Sequence, residues 1–497
     1  MPEKQESKVI ESGEFYELVP GRDVTESSLY NEDIAPTEIK QRTWNTWNVA
    51  ALWVGMAICV PTYTLGGVLT AYFGLSIKEA LVTIFLANVI VLIPLTLNAV
   101  PGTKFGIPFP VLLRSSFGLY GSNLPALIRA LIACGWFGIQ TMFGGMAIHL
   151  LFSAISSGWA SMGDKGIVIG FFIFWALNIY VVIKGSESIK WLETLAAPLL
   201  LAVGLGLIFW AGPQIDVAQL VSAAPNRPEG ASVWTYFFSG LTAMVGFWAT
   251  LSLNIPDFSR FVKSQKSQIV GQIIGLPITM FLFATLGVVM TAASAKLVGE
   301  TVSDPISLIG KIDSPFWVAI AMIFIIIATI STNTAANIVS PTNDFQNVFP
   351  KAINMKRGTL LTGLVGILLM GWELLIKLGW VVSDVSVESM YSNWLLGYSS
   401  LLGPIAGIMI VDFFIIRKQK LNLIDIYKTD GEYPAVNLSG LFAFLIPVAL
   451  TILALLTGKM MWFYNYGWFT GSALGGVMYY FLAKKSVSAI PVAAPAE

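Results

Sequence analysis

Long, continuous apolar runs constrain this chain more than any other feature of its sequence. A helix that crosses the hydrocarbon core of a bilayer needs about 20 mostly apolar residues, whereas barrel strands alternate over about ten. The pattern here therefore predicts an all-α membrane protein with about twelve transmembrane helices. The runs lie near residues 46–73, 77–100, 124–154, 166–184, 190–212, 233–256, 269–295, 315–341, 358–376, 386–416, 438–457 and 461–483.

The composition supports a lipid environment. Of the 497 residues, 55% are hydrophobic and only 12% are charged, whereas soluble domains average about 25% charged residues. The formal net charge is +0, so the chain has no basic excess of the kind that binds nucleic acid. We expect the lipid bilayer to be its partner, and we infer no nucleic acid and no obligate protein partner.

Several classes of chemistry are excluded by what the chain lacks. His149 is the single histidine, so neither an HExxH zinc site nor a cluster of several histidine ligands can form. Two Gly-Lys pairs, at 310–311 and 458–459, lack the Ser or Thr that completes a phosphate-binding loop. We expect no cofactor, no catalytic residues and no ATP hydrolysis.

The positions of the basic residues predict the orientation. If the N-terminus is placed inside, seven of the 29 Lys and Arg residues fall in outer loops and the others fall inside, as the positive-inside rule requires. We expect a multi-pass protein of the inner membrane with both termini in the cytoplasm. The seven outer residues are Lys78, Lys165, Arg227, Lys296, Lys311, Lys377 and Lys459.

Two of the apolar runs contain residues that interrupt helices. The first carries a Gly and a Pro within 55–61, and the sixth carries Gly246 with Pro256 further on. Backbone breaks at bilayer depth are tolerated only where they face protein or a wet cavity, and two breaks opening two halves are typical of an inverted repeat with a midplane binding site. The alternative is a simple kink. The predicted divisions are 1–42 (cytoplasmic), 43–212 and 213–418 (the two repeats), 419–485 (two further helices) and 486–497 (cytoplasmic tail).

The third run carries a candidate for recognition of a flat ring. Trp136 and Gln140 are four residues apart and project from one helical face. An indole offers a face for stacking, and a primary amide offers donors and an acceptor that suit an imide or cyclic urea. Alternatively, Gln140 bonds a neighbouring helix and Trp136 is simple packing.

The eighth run is rich in hydroxyls and amides. Ser331 and Thr332 offer oxygens to a hard cation, while Asn333 and Asn337 offer amides to a substrate from the same stretch. The alternative is that the hydroxyls bond back to their own helix. The pattern favours a site for a monovalent cation beside a substrate site.

These motifs resemble those of the nucleobase–cation symporters, a family that includes bacterial hydantoin, allantoin, cytosine and uracil permeases. The likeness covers about residues 30–485. It depends on RTW (42–44), GTKFGIPFPVLLRSSFG (102–118), WFGIQT (136–141), WATLSLNIPDFSRF (248–261), ATISTNTAANIVSP (328–341) and LGPIAGIMIVDFFIIRK (402–418). The resemblance implies a LeuT-like core of five plus five inverted-repeat helices, followed by two C-terminal helices.

The resemblance also implies the substrate site. In a hydantoin-transporting member the ring lies between two tryptophans, while a glutamine and an asparagine bond its amides. The matching positions here are Trp136, Trp248, Gln140 and Asn337. The predicted substrate-binding residues also include Asn333, which lies nearby on the same helix as Asn337, and Phe247, which precedes Trp248.

A cation site is implied in the same way, from carbonyls of the broken first helix and of the eighth helix, plus two hydroxyls. The corresponding residues are Gly55, Ile58, Ala328, Ser331 and Thr332. Both hydroxyls are present, which favours Na⁺ as the coupling ion over H⁺. Gly55 replaces the Ala of the hydantoin carrier, and a carbonyl ligand survives that change.

The leading prediction is a secondary active symporter for a planar cyclic amide of the uracil, allantoin or hydantoin type. The alternatives are a receptor or sensor that binds such a ligand without transporting it, and, less favoured, a membrane enzyme. Three residues have no assigned role at this point, namely Cys59, His149 and Glu373.

Charged residues near the inner ends of helices are expected to form structural pairs that lock gates. This set contains Asp257 with Arg260, Asp412 with Arg417, and Asp344, for which no partner is named. The Gly- and Pro-rich segment 101–123 is predicted to form an inner loop with a short helix lying against the bundle.

Overall fold

The structure, a computed structural model, describes residues 6–184, 186–385 and 387–487, and its long helices follow the predicted apolar runs. Within this part of the chain, eight helices are long and apolar enough to cross a membrane, and two more spans result when the bent halves of α1 and of α9 are joined. The divided α6, together with α12, occupies the positions of the other two predicted spans. The long helices are α1 (Thr46–Ala57 and Val60–Ala71), α2 (Ile77–Phe105), α3 (Asn123–Ser153), α4 (Asp164–Lys184), α5 (Ser186–Ala211), α6 (Val233–Phe247 and Ala249–Asn254), α7 (Gln265–Val298), α8 (Pro315–Asn337 and Val339–Val348), α9 (Met355–Leu369 and Gly371–Lys377), α10 (Val387–Ile410, continued by a π-helical turn, Val411–Ile416), α11 (Leu438–Thr457) and α12 (Gly467–Val487).

Shorter elements connect these helices. A two-stranded antiparallel hairpin, β1 (Lys8–Ser12) and β2 (Phe15–Val19), precedes them. The short helices are Arg22–Thr25, Glu32–Ile34, Ile39–Gln41, Phe109–Phe117, Ser157–Ala160, Gly212–Gln214, Val217–Ser222, Pro256–Ser259, Pro305–Ile309, Asp425–Tyr427 and Trp462–Asn465. The predicted tail, 486–497, begins within α12, and residues 488–497 of it lie outside the described residues.

The ends of the long helices meet at two faces. We call the face that carries residues 6–45 the N-terminal face, and the opposite one the distal face. Trp44 N–H donates to the carbonyl of Phe261 at 2.9 Å, and Thr37 N–H donates to that of Gly106 at 2.8 Å, so the α6–α7 and α2–α3 connections share the N-terminal face.

Two groups of helices are visible in the packing. Helix α7 packs along both halves of α1 and along α2, which also contacts α6. Helix α3 packs against α4, α8 and α9, whereas α12 packs along α10 and α11. The two groups meet in the middle of the molecule, where α1, α6 and α8 are interrupted.

Proline explains the break in α1. Pro61 has no N–H, so the carbonyl of Ala57 loses its usual helical donor and instead accepts from Cys59 N–H at 3.1 Å. The two halves of α1 are bent by 58°. Helix α6 is divided at Trp248, as predicted, while the break in α8 at Ile338 was not predicted.

The segment 101–123 is partly helical. Helix α2 continues through Pro101 and ends only at Gly106, whose φ of +72° closes the helix in the left-handed conformation. The predicted short helix is Phe109–Phe117, and all its residues are buried, including Arg114. The prediction of a short helix against the bundle is therefore confirmed, although the first five residues of the segment extend α2.

The segment 6–42, which we call the N-terminal strap, is folded against the N-terminal face. Tyr16 stacks on Phe105 with ring centroids 5.1 Å apart. The guanidinium of Arg42 is buried and donates to four backbone carbonyls, which belong to Tyr16, Thr37, Thr103 and Lys104. Burial lowers the pKa of Arg42 to about 10, so the side chain keeps its charge at neutral pH.

The strap also reaches α8 and the α10–α11 connection. Gln346 donates to the carboxylate of Asp33 at 2.6 Å. Lys428 forms an ion pair with Asp23 at 2.6 Å. Burial acts to raise the pKa of Asp23, but hydrogen bonds from Lys428 and Ser7 lower this pKa to about 2. The strap thus joins helices of both groups at one face.

Glycines allow α7 to approach α1 closely. A Cβ atom at Gly275 would meet the carbonyl oxygen of Ala50, and one at Gly287 would meet that of Tyr63. Small residues at membrane helix contacts let the two backbones come together.

We expect Gly287→Ala to destabilise the protein by about 1–3 kcal/mol, because an added methyl group would force apart two well-packed backbones. The measurement is the thermal midpoint of the purified protein in detergent. The control is Gly206→Ala in α5, where a Cβ would meet nothing within 4 Å. Equal midpoints for the two variants would contradict the proposed close contact.

Candidate functional site

A cluster of aromatic side chains fills the middle of the molecule between α3, α6 and α10. Trp136 and Trp248 are both buried, with 5% and 2% of their surfaces exposed. They do not stack on each other. The ring of Phe247 lies edge-on to both, at 5.3 Å from Trp136 and 4.9 Å from Trp248 between centroids. The structure therefore brings the three predicted aromatic residues together, with Phe247 between the tryptophans.

This cluster contains buried polar atoms without hydrogen-bond partners. The indole N–H groups of Trp136 and Trp248 and the amide oxygen of Gln140 have no hydrogen-bond partner among the described residues. A buried polar group without a partner costs about 1–3 kcal/mol. A ligand that offers both acceptors and N–H donors would remove this cost.

Two amides of α8 form a pair beside α3. Asn337 donates to the amide oxygen of Asn333 at 3.0 Å. Asn333 in turn donates to the Phe137 carbonyl at 3.3 Å and to the Thr141 hydroxyl at 3.4 Å. Asn333 is therefore fully engaged within the protein, whereas Asn337 keeps an amide oxygen that accepts no hydrogen bond from the described residues.

The predicted cation ligands meet where the break in α1 faces α8. The hydroxyl of Thr332 lies 3.4 Å from the carbonyl oxygen of Gly55 and 3.2 Å from that of Ala328. The Gly55 carbonyl lacks its usual helical donor, because the N–H of Cys59 donates to the carbonyl of Ala57 instead. The Thr332 hydroxyl and the carbonyl oxygens of Gly55 and Ala328, three of the five predicted ligands, therefore lie together.

The other two predicted ligands lie next to this group in sequence. Ile58 is the residue at which the first half of α1 ends, with φ −83° and ψ 85°. Ser331 is buried beside Thr332, and its carbonyl accepts from the Thr334 hydroxyl at 2.9 Å. Oxygen ligands from carbonyls and hydroxyls, without a carboxylate, suit a monovalent rather than a divalent cation.

Helix α10 adds aromatic residues that the sequence analysis missed. The rings of Tyr391 and Tyr398 lie edge-on to Trp136, at 5.7 and 6.3 Å between centroids. Trp394 contacts Tyr398 at 5.4 Å. The Tyr391 hydroxyl donates to the carbonyl of Pro61 at 3.1 Å. Their spacing on one helical face of the tenth run was the available signal.

Charged pairs at the N-terminal face are only partly those predicted. Arg417 pairs with Asp412 at 3.0 Å, as predicted, and the same carboxylate accepts from the hydroxyls of Ser115, Ser116 and Tyr479. This network joins α10, α12 and the helix Phe109–Phe117.

The predicted pairing of Asp257 with Arg260 is wrong. Asp257 accepts from the backbone N–H of Phe109 at 2.9 Å, and Arg260 donates to strap carbonyls, including that of Asp33 at 3.2 Å. The two side chains point to different partners because the strap, which the sequence analysis did not place, lies against Arg260.

Asp344 forms a buried ion pair, as expected of that set of charges, with a partner that the sequence analysis did not name. Arg129 of α3 lies 3.2 Å from Asp344 of α8, and their side chains are 1% and 0% exposed. Next to it, Asn254 hydrogen-bonds to Ser340. Arg129 is the first charged residue of α3, and its distance from Asp344 in sequence gave no signal of their contact.

The three residues without an assigned role lie outside the pairs above. Cys59 is buried, with its sulfur 3.2 Å from the Thr62 hydroxyl. His149 accepts from the Trp159 indole N–H at 3.1 Å near the distal face. Glu373 lies in the first turn of the second half of α9.

Comparisons with known proteins show the family of this chain. Residues 36–475 match the family described as permease for cytosine/purines, uracil, thiamine and allantoin. A purine-uracil permease from Arabidopsis thaliana is 42% identical over 82% of this chain and 67% of its own length. An allantoin permease from Bacillus subtilis is 37% identical over 92% of this chain and 93% of its own length.

Solved structures show the same architecture. Mhp1, a nucleobase-cation-symport family transporter in a closed conformation with bromovinylhydantoin bound, superposes with a TM-score of 0.77 and 26% identity. The alignment covers 94% of this chain and 98% of that one. MhsT in complex with L-phenylalanine has the same fold, with a TM-score of 0.54 and 16% identity. These likenesses confirm the predicted fold class of a helical, LeuT-like membrane transporter.

Proposed function

Because this chain belongs to the permease family for cytosine, purines, uracil, thiamine and allantoin, we propose that it is a symporter that imports a planar cyclic amide together with Na⁺. That the chain is a transporter and not an enzyme follows from the family. The coupling ion, the ring compound and the roles of individual residues are our proposal.

The observation that carries the proposal is the meeting of α1 and α8 beside the aromatic cluster. A cation held by the Thr332 hydroxyl and the carbonyls of Gly55 and Ala328 would link the broken helix of one group to a helix of the other. Ser331 and the carbonyl of Ile58 would complete the ligand set. Cation and substrate would then each favour the same closed arrangement and strengthen each other's binding by one coupling free energy.

The substrate would be a flat ring with adjacent carbonyl and N–H groups. Its ring would stack on Trp136 and Trp248 after Phe247 moves aside, because Phe247 now lies between them. Gln140 and Asn337 would bond its amide edge, and Asn333 would hold Asn337 in position. Uracil, allantoin and hydantoin all have such an edge, and the relatives named above transport compounds of these kinds.

We propose that the N-terminal face is cytoplasmic and that the membrane is the cell (inner) membrane. Support comes from the assignment of basic residues to loops in the sequence, which puts only seven of the 29 Lys and Arg residues in outer loops. Residues 43–212 and 213–418 would be the two repeats. Transport would proceed by rocking of α1, α2, α6 and α7 against α3, α4, α8 and α9.

The decisive experiment is uptake and binding with four compounds, namely uracil, allantoin, hydantoin and cytosine. Purified protein is titrated by tryptophan fluorescence with and without Na⁺, and uptake of each labelled compound is measured in vesicles. We expect quenching by at least one compound, tighter in Na⁺, and saturable Na⁺-driven uptake of that compound. Binding without uptake would instead indicate a receptor, and binding without a Na⁺ effect would indicate H⁺ coupling.

We expect Thr332→Val to raise the Na⁺ concentration for half-maximal uptake by about tenfold, because one oxygen ligand is lost while the side-chain shape is kept. A charge-assisted contact of this kind contributes about 1.5–3 kcal/mol. The measurement is the Na⁺ dependence of uptake in vesicles. The control is Thr359→Val, whose hydroxyl bonds only to the Met355 carbonyl of its own helix. An unchanged Na⁺ dependence would remove Thr332 from the site.

A further inference from the structure

The N-terminal strap is a packed part of the molecule and not a loose tail. Its apolar side chains Leu18, Val24, Leu29 and Ile34 are each 3% exposed or less, and they belong to the same hydrophobic core as residues of the long helices. Because burial of apolar side chains is favourable, these residues anchor the strap to the N-terminal face. Its polar contacts can therefore act on the helices beneath it.

One part of the strap is bonded to α2 and to the α6–α7 connection. The guanidinium of Arg42 donates to the carbonyl of Thr103 at 3.2 Å. Arg260 of the α6–α7 connection donates to the backbone carbonyl of Asp33 at 3.2 Å. Residues 33–44 are therefore fixed to the group of helices that contains α1, α2, α6 and α7.

The residues just before this part are bonded to α8 and to the connection that follows it. The side-chain amide of Asn31 donates to the carbonyls of Pro350 at 2.7 Å and of Ile353 at 3.0 Å. The side chain of Gln346, a fully buried residue of α8, donates to the carboxylate of Asp33 at 2.6 Å. This part of the strap is therefore fixed to the group that contains α3, α4, α8 and α9.

Asp33 belongs to both sets of contacts. Its carboxylate accepts from Gln346 of α8, while its backbone carbonyl accepts from Arg260 of the α6–α7 connection. A single residue thus links the two groups of helices across the N-terminal face. A rocking motion separates the two groups at the face that opens, so the bonds of Asn31 and Asp33 cannot all persist when the N-terminal face opens.

We propose that residues 31–35 of the strap form a latch, which holds the N-terminal face closed until Asn31 and Asp33 release α8. The latch depends on the proposed function, because it acts on the rocking motion by which the substrate would cross the membrane. Asn254 of α6 also bonds directly to Ser340 of α8. Loss of the latch therefore shifts the equilibrium toward the open state without abolishing the closed state.

Release takes place at α8 and not at the α6–α7 connection. Asp33 is exposed, so water can replace Gln346 as the partner of its carboxylate. On the other side, the buried guanidinium of Arg42 bonds several backbone carbonyls at once and holds the following residues against α2. The strap thus stays on the first group of helices while α8 moves away.

The first test measures opening directly and needs no substrate. Spin labels are attached to Lys266→Cys in α7 and Lys356→Cys in α9, both exposed at the N-terminal face, and pulsed electron spin resonance gives the distance between them in the purified protein. We expect Asn31→Ala combined with Asp33→Ala to raise the ratio of open to closed protein by about tenfold, since one hydrogen bond contributes about two- to tenfold to an equilibrium. Opening is seen as a longer label distance.

The control is Glu38→Ala with the same labels, because the carboxylate of Glu38 pairs with Lys40 of the strap itself at 2.7 Å. This change removes a contact within the strap and none of the bonds to the two groups described above. Cys59 and Cys134 are buried, so the labels attach to the introduced cysteines. A label distance that is equal in the double variant and in the Glu38 variant would overturn the latch.

The second test locks the latch, and it decides the outcome if the double variant does not fold. Asn31→Cys is combined with Ala352→Cys, an exposed position between the two carbonyls that Asn31 contacts. A short, reducible thiosulfonate cross-linker then joins the two cysteines in vesicles. We expect uptake to fall by about tenfold, because opening at this face is blocked, and to recover after reduction. Each single-cysteine variant, treated in the same way, is the control.

Uptake is measured with the labelled compound that the intact chain transports, out of uracil, allantoin, hydantoin and cytosine. Full uptake by the cross-linked protein would overturn the latch. Failure of the intact chain to transport any of these compounds would overturn the proposed function instead, while the label distances, which need no substrate, would still decide on the latch. The two failures are therefore distinguishable.

Discussion

Replacement of Trp136 by alanine is expected to weaken binding of the transported ring compound by about ten- to a hundredfold and to reduce uptake accordingly. Stacking of a base-like ring on an aromatic side chain contributes about 1–3 kcal/mol, and Trp136 supplies the face that contacts Phe247, Tyr391 and Tyr398. The measurement is initial uptake in vesicles at several ligand concentrations, together with fluorescence titration.

Two variants make this result specific. Trp136→Phe keeps an aromatic face and should recover most of the affinity that Trp136→Ala loses. Trp380→Ala removes a tryptophan that is 74% exposed at the distal face and should leave uptake unchanged. Full uptake by the Trp136→Ala variant would exclude the central aromatic cluster as the substrate site.

Replacement of Arg129 by methionine is expected to lower stability by about 3–5 kcal/mol, the largest effect on folding that we predict. The substitution leaves the carboxylate of Asp344 buried without its cation, and an uncompensated buried charge costs far more than the pair contributes. The side chains are 1% and 0% exposed, so water cannot replace the partner. The measurement is the thermal midpoint and the yield of monodisperse protein in detergent.

The companion variant tests the cause. Arg129→Met combined with Asp344→Asn removes both charges and should recover a large part of the lost stability. Lys311→Met breaks the pair with Glu300, whose side chains are 51% and 56% exposed, and exposed pairs contribute about 1 kcal/mol or less. Equal losses in Arg129→Met and Lys311→Met would contradict the assignment of a buried pair.

The position of Phe247 shows that a predicted set of site residues does not by itself give the geometry of the site. Trp136, Phe247 and Trp248 were predicted to share one site, and the structure places Phe247 in contact with both tryptophans. Sequence spacing alone does not say which ring lies between the others, because they come from two helices whose rotation depends on packing. That arrangement is what makes movement of Phe247 part of our proposal.

The contacts of the N-terminal strap could not be predicted from the sequence either. Residues 6–42 are polar and were expected only to be cytoplasmic, yet Arg42 is buried and bonds four carbonyls. Backbone carbonyls carry no signature in the sequence, so a polar side chain that satisfies them looks the same as a solvated one. For this reason Arg260 was paired with Asp257, its neighbour in sequence, instead of with the strap.

The sequence by itself determined the helical membrane fold, the breaks in α1 and α6, and the residue types of the candidate site, because apolar length and the missing N–H of proline act locally along the chain. Only the tertiary structure decided that Thr332 reaches Gly55, that Arg129 meets Asp344, and that Tyr391 of α10 contacts Trp136. These contacts join residues up to 277 positions apart in the chain. They depend on how helices pack and rotate against one another, and helix packing depends on the shapes of many side chains at once.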